Sequence, residues 1–251
     1  MFHVKQFEKL AEYCLKNGIR YGQTEEERFK SFYEFLVEKN KVMNLTAVTE
    51  PEEVELRHYI DSVSSVPVLK ELFGDRTSEE PVKGIDLGTG AGFPGVPLAI
   101  VLPEYRFTLA DSLNKRVDFL KEAVKKMDLP NAQPLQGRAE EIGQSDLRES
   151  FDLCVSRAVA DLSVLLEYCL PLVKIGGYAV LYKSGEFKDE LHRAEYAMRL
   201  LGGMLQDVRE FVLPGSDIRR SFIIIEKRNA APIKYPRRSG KPSKSPLMTK
   251  Q

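Results

Sequence analysis

The sequence predicts an α/β protein: a mainly parallel seven-stranded sheet that ends in an antiparallel hairpin, preceded by helices. Three observations lead there. Beyond Gly74, short apolar runs bounded by turn residues alternate with helix-length amphipathic stretches, the pattern of βαβ units. The last two runs have only Leu213 to Arg220 between them, too little chain for a crossover helix, so those strands pair antiparallel. The 251 residues are 43% hydrophobic and 29% charged, enough for one large core with an appendage.

The elements follow in order. From Phe7 to Leu15 and from Phe29 to Leu36 apolar residues recur at three and four positions, which describes amphipathic helices. Thr24 followed by Glu27 predicts a capping box for the second. Thr49-Glu50-Pro51-Glu52 opens a third helix that contains Arg57, His58, Asp61 and Ser62. Residues 1–73 are thus expected to form a helical extension packed on a core of residues 74–229. In that core the strands are Val82 to Leu87, Arg106 to Ala110, Ala132 to Gln136, Phe151 to Val155, Gly177 to Leu181, Met204 to Val212 and Ser221 to Glu226. Helices near Val96 to Leu102, Asn114 to Lys126, Leu162 to Leu172 and Lys188 to Leu201 lie between them.

Charge and composition exclude several classes. Lys and Arg number 37 and Asp and Glu 37, so no uniformly basic coat exists. The zero sum hides a sorting by segment. Glu226 is the last acidic residue, and the eight cations after it set a tail near +8 against a body near −8. Pro232, Pro236, Gly240, Pro242 and Pro246 share that stretch, so residues 230–251 are expected to be a mobile basic tail. Such a tail is either an arm that follows a phosphate backbone or a solubilising end. The longest apolar run, Val96 to Leu102, is far short of the roughly 18 residues of a membrane span. The N-terminus lacks the apolar centre of a signal peptide. Cys14, Cys154 and Cys169 form no C-x-x-C pair, which argues against a disulfide framework or a metal cluster. The expected compartment is the cytoplasm, and the lack of a long apolar helix seam makes a monomer the simpler expectation.

Chemistry concentrates in Gly84-Ile85-Asp86-Leu87-Gly88-Thr89-Gly90-Ala91-Gly92-Phe93-Pro94-Gly95, between the first sheet strand and a helix. Glycines there let the backbone turn sharply and approach a ligand, and the helix N-terminus offers free amides. Gly90, Gly92 and Gly95 satisfy a dinucleotide spacing. Asp86 argues otherwise, since a carboxylate beside the ligand repels a pyrophosphate and attracts the ammonium of S-adenosylmethionine. Asp111, nineteen residues after Gly92, ends the next strand, where a carboxylate accepts from both ribose hydroxyls. The third strand runs into Gly137-Arg138-Ala139-Glu140, placed to meet an adenine or simply to start a helix. Arg157 tops the fourth strand, where an arginine contacts a ligand or pairs with an acid such as Asp161. Cys154 reads as a small core residue.

These motifs resemble the bacterial ribosomal small-subunit methyltransferase G family, also called glucose-inhibited division protein B. Asp86 to Gly95, Asp111 to Arg116, Gly137 to Glu140 and Ser156-Arg157-Ala158 carry the resemblance. So do Asn44-Leu45-Thr46-Ala47, Arg57 to Ser62 and Lys234-Tyr235-Pro236-Arg237-Arg238, so it covers nearly the whole chain. It implies a Rossmann-like S-adenosylmethionine-dependent methyltransferase fold, and methylation of N7 of one guanine in 16S rRNA, guanine 527. It also implies cofactor contacts from Gly88, Phe93, Asp111, Ala139, Glu140 and Arg157, beside Asp86 and Gly90 from the loop reading.

Guanine N7 has an in-plane lone pair and no proton, so the implied reaction needs no general base. Positioning candidates are Asn44, Arg157 and Lys183, while His58 reads as structural. Arg219, Arg220, Lys234, Arg237 and Arg238 are the expected RNA contacts, and 16S rRNA or the small ribosomal subunit is the expected partner. Two other classes share these features: a non-catalytic RNA-binding assembly factor and a dinucleotide-dependent oxidoreductase.

Overall fold

A computed structural model describes residues 7–74, 80–157, 160–185 and 187–248. Its sheet is formed by β1 (Val82–Leu87), β2 (Tyr105–Asp111), β3 (Ala132–Gln136), β4 (Phe151–Arg157), β5 (Val173–Ser184), β6 (Gly203–Val212) and β7 (Arg219–Lys227). The order is β3-β2-β1-β4-β5-β7-β6. β1 to β5 pair in parallel, and β7 slots antiparallel between β5 and β6. Strand order reverses between β1 and β4, and the crevice above that point, at the carboxyl edge, is where open α/β sheets bind ligands.

The buried strands divide their side chains by parity. Leu109, Val155, Val180, Phe222 and Ile224 face one helical layer; Ala110, Cys154, Leu181, Ile223 and Ile225 face the other. Burial on both faces explains why these strands read as continuous apolar runs rather than alternating ones. The first layer comprises α1 (Glu8–Lys16), α2 (Gln23–Met43), α3 (Pro51–Val54), α4 (Asp61–Val63), α5 (Val66–Phe73), α6 (Gly95–Val101) and α7 (Asn114–Lys126). The second holds α8 (Ala139–Ile142), α9 (Leu162–Cys169), α10 (Lys188–Leu200) and α11 (Lys241–Lys244).

The N-terminal helices share one apolar cluster with the sheet, in which the rings of Phe32 and Tyr59 meet Phe93. Polar ties fix the register. The Tyr182 hydroxyl on β5 donates to the Ser62 carbonyl at 2.8 Å and approaches Ser65 Oγ at 2.6 Å. Buried Glu55 accepts the Leu10 amide at 2.8 Å, satisfying an orphan donor at the start of α1. A π-helical stretch, Glu55–Ile60, joins α3 to α4 and carries Arg57 and His58. The helix predicted from Thr24 starts earlier: Glu25 reaches back to the Gly22 amide at 2.9 Å, so the cap lies two residues upstream.

The larger difference concerns the tail, expected to be mobile: its described residues are packed. Ala231, Tyr235 and Pro242 are buried against the second layer. The Arg148 guanidinium donates to the carbonyls of Ala231 at 2.8 Å and Tyr235 at 2.6 Å. Arg237 grips the fully buried Glu167 of α9, Nε to Oε1 at 2.8 Å and Nη2 to Oε2 at 2.6 Å. A buried carboxylate is costly without such a partner, and that demand outweighs the solvation of one tail cation.

Candidate active site

The glycine-rich loop is folded from beneath. Gly88 and Thr89 both donate their amides to the Ala110 carbonyl, at 2.9 and 3.1 Å, which ties the turn to β2. Gly88 and Gly90 lie at φ 76° and 60°, where a Cβ is strained. Asp86 is fully buried under the loop and accepts the Gly95 amide at 2.7 Å, at the start of α6. Burial pushes its carboxyl up to about 6, against the opposing effect of the Gly95 hydrogen bond. A Cβ on Gly95 would lie 2.3 Å from Leu109 Cδ2 and 2.7 Å from Asp86 Oδ2, so this contact requires glycine. Asp86 does not line the cavity described next: its Oδ2 holds the loop, on the sheet face of Gly84 that α6 covers, and its Oδ1 is buried without a hydrogen-bond partner.

Above the carboxyl edge lies a cavity of about 470 Å³ walled by Gly88, Asp111, Ala139, Glu140, Arg157 and Tyr168, among others. The Asp111 carboxylate accepts the Gly90 amide at 3.0 Å and the Leu113 amide at 2.9 Å, and Arg116 Nη1 lies at 3.4 Å. Glu140 Oε1 accepts the Gly240 amide at 2.9 Å. Gly90 and Phe93 do not line this cavity. Gly90 positions Asp111, and Phe93 is a buried platform: the His58 ring stacks on it at 4.4 Å and the Arg157 guanidinium sits 5.3 Å from its centroid.

A second cavity, about 460 Å³, lies next to the first, and Arg157 borders both. Arg57, His58, Asp61, Lys183 and Arg220 line it. Asp61, 3% exposed, accepts from Arg157 Nη1 and from Arg220 Nε, each at 3.1 Å. Arg157 thus pairs with Asp61, while Asp161 caps α9 through the Ser163 amide at 3.0 Å. Lys183 Nζ pairs with Glu190 Oε2 at 2.7 Å and donates to the Ala160 carbonyl at 3.0 Å. Burial first, then the Arg157 charge, pushes His58 down to about 3. The imidazole is neutral at physiological pH, with Nε2 at 2.9 Å from Thr46 Oγ1.

Sequence-predicted residues are thus divided. Asn44 closes α2 at φ 51°, a backbone role. Arg219, Lys234 and Arg238 are exposed. Arg220 is half-buried on Asp61, and Arg237, expected as an RNA contact, is paired with the buried Glu167. Sequence reasoning missed Asp61, Tyr168, Gly240 and Ser243 as wall residues.

Leu87, Ala110 and Leu165 give the first cavity apolar walls, and Asp111 and Glu140 give it carboxylates. The antiparallel β7 sets this sheet apart from the all-parallel 3-2-1-4-5-6 dinucleotide fold. Sheet and site define the class: the chain has the Rossmann-like fold of S-adenosylmethionine-dependent methyltransferases. Among solved structures, a putative sarcosine dimethylglycine methyltransferase from Galdieria sulphuraria matches with a TM-score of 0.50 at 13% identity, covering 72% of this chain and 89% of that one. That likeness concerns the fold alone. The model of the family rRNA small subunit methyltransferase G matches residues 25–220. Curated proteins named ribosomal RNA small subunit methyltransferase G are 46% identical in Acetivibrio thermocellus, over 92% of both chains, and 40% identical in Staphylococcus aureus, over 97% of this chain and 99% of that one. The chain belongs to this family.

Proposed function

We propose that this chain methylates N7 of a specific guanine in 16S rRNA, guanine 527 by family resemblance, using S-adenosylmethionine. The observation behind this reading is the pairing of a nucleoside-shaped cavity with a cation-lined one across the single side chain of Arg157. The cofactor supplies a methyl group made electrophilic by a sulfonium. The chain's own work is to hold it and to orient the base. Asp111 is placed for a ribose diol, Gly88 for close backbone approach, and Ala139 and Glu140 for the adenine edge.

The second cavity presents Arg57, Arg157, Lys183 and Arg220 against one lining acid, Asp61, which suits an extruded guanosine and its phosphates. N7 needs no deprotonation, and a histidine held neutral near 3 is a poor proton acceptor, so the site requires no general base. Alignment of nucleophile and methyl can alone supply on the order of 7 kcal/mol. No described helix is long and apolar enough to cross a membrane. The cytoplasm, where the small subunit is built, is the compartment this reading requires.

The test is transfer of labelled methyl from S-adenosylmethionine to small subunits from cells lacking the modification, with the site mapped by mass spectrometry. Label at one guanine N7, lost when 7-deazaguanine replaces that base, is the expected result. Specific RNA binding without transfer would favour an assembly factor and refute the reading.

A further inference from the structure

We propose that the C-terminal turn Gly240 to Ser243 is part of the cofactor site, closing the adenine end of the first cavity and holding Glu140 in position. The inference rests on reading that cavity as the S-adenosylmethionine pocket. Gly240 and Ser243 stand in its wall beside Glu140 and Tyr168, although they are 100 and 75 residues away in sequence. Asp111 ends β2, and β3, the next strand outward, runs into Gly137 to Glu140, which line the same cavity; on the proposed reading the base lies toward them. The tail crosses over that end.

Each polar contact across the gap is specific. The Gly240 amide donates to Glu140 Oε1 at 2.9 Å, and Glu140 is only 8% exposed, so its carboxylate is oriented rather than solvated. The Tyr168 hydroxyl lies 3.2 Å from Ser243 Oγ, which links the turn to α9 on the other wall. The turn is also anchored on both sides. Arg237 upstream is locked on Glu167 and donates to the Ser245 carbonyl at 2.9 Å, and Pro242 is buried. A segment tied down at both ends of a four-residue turn presents a fixed surface, and preorganised walls raise affinity by sparing the ordering cost. Glu140 and the turn act as one unit, in which Gly240 positions the carboxylate that meets the purine.

Two full-length variants test this. Gly240→Pro removes the amide and cannot adopt the native φ of 78°. Ser243→Trp fills the cavity while leaving the backbone alone. S-adenosylhomocysteine and adenosine are titrated calorimetrically into each, with Ile233→Ala, an exposed change in the same segment, as control. Both variants should weaken both ligands about tenfold or more: Gly240→Pro by losing a charge-assisted hydrogen bond to Glu140, Ser243→Trp by occupying the space the ligand needs. The ligand-free melting temperature of Ser243→Trp and the affinities of Ile233→Ala should stay at wild-type values. Wild-type affinity in both variants overturns the proposal, as does a loss for S-adenosylhomocysteine with none for adenosine. If the unaltered protein binds neither compound, the pocket reading falls and this inference with it.

Discussion

Arg237→Ala isolates the force that packs the tail. Glu167 is fully buried and accepts three hydrogen bonds from the Arg237 side chain and one from its backbone amide. Truncation leaves that carboxylate with the amide alone from residue 237. Removing one partner of a buried pair costs about 3–5 kcal/mol. The Arg237 side chain is 16% exposed, so water can reach the vacated space, and the lower part of that range is expected. The assay is a double-mutant cycle by urea unfolding at pH 7, with Arg237→Ala, Glu167→Gln and the double variant. Coupling of about 2 kcal/mol or more is expected, because the pair is dry and bidentate. A loss under about 1 kcal/mol, the worth of an exposed ion pair, would refute the reasoning and return the tail to a solvated arm.

Three further outcomes follow from the site. Asp86→Asn should change the pH dependence of stability: a carboxyl raised from 3.8 to about 6 makes the wild type lose stability as pH rises through that interval. The difference between the two proteins, read from urea midpoints at pH 4 to 7, should grow by up to about 3 kcal/mol, and parallel curves would exclude it. Gly95→Ala pushes a methyl into Leu109 and Asp86 and should cost about 1–3 kcal/mol, lowering the melting temperature by several degrees; an unchanged scan would show that the loop yields freely. His58→Gln should leave the pH profile of methyl transfer flat from pH 5.5 to 8, since the histidine is already neutral there; a wild-type inflection near 6.5 that the variant loses would make His58 a titrating participant.

What the sequence made legible was mostly local. The alternation of apolar runs and turns marked β1, β3 and α7 at their observed limits, and strand ends pointed to Asp111 and to Ala139 and Glu140. The place of Asp86 was legible in the strand pattern: Ile85 and Leu87 face one layer, so Asp86 faces the other, beneath α6. What could not be read was choice of partner at long range. Arg157 finds Asp61 from 96 residues away and Arg237 finds Glu167 from 70, although a nearer acid, Asp161, follows Arg157 in the chain. Only the packing of α4 against the sheet decides which carboxylate is within reach and dry.

That same packing explains why the two cavities operate together. Asp61 receives two guanidiniums, one from the end of β4 and one from the start of β7, so a single buried negative charge is shared between two positive ones. Two guanidiniums on one carboxylate leave this trio with an excess positive charge, in a place screened less than the open surface, while Arg57 and Lys183 of the same wall are paired with Glu53 and Glu190. An incoming phosphate is the natural counter-charge, and it would bind beside the guanidinium that also walls the nucleoside cavity. On the proposed reading, RNA docking and cofactor alignment converge on Arg157, held by Asp61 below and the Phe93 ring beside it. A side chain restrained from two directions can orient a reacting base without taking a proton from it.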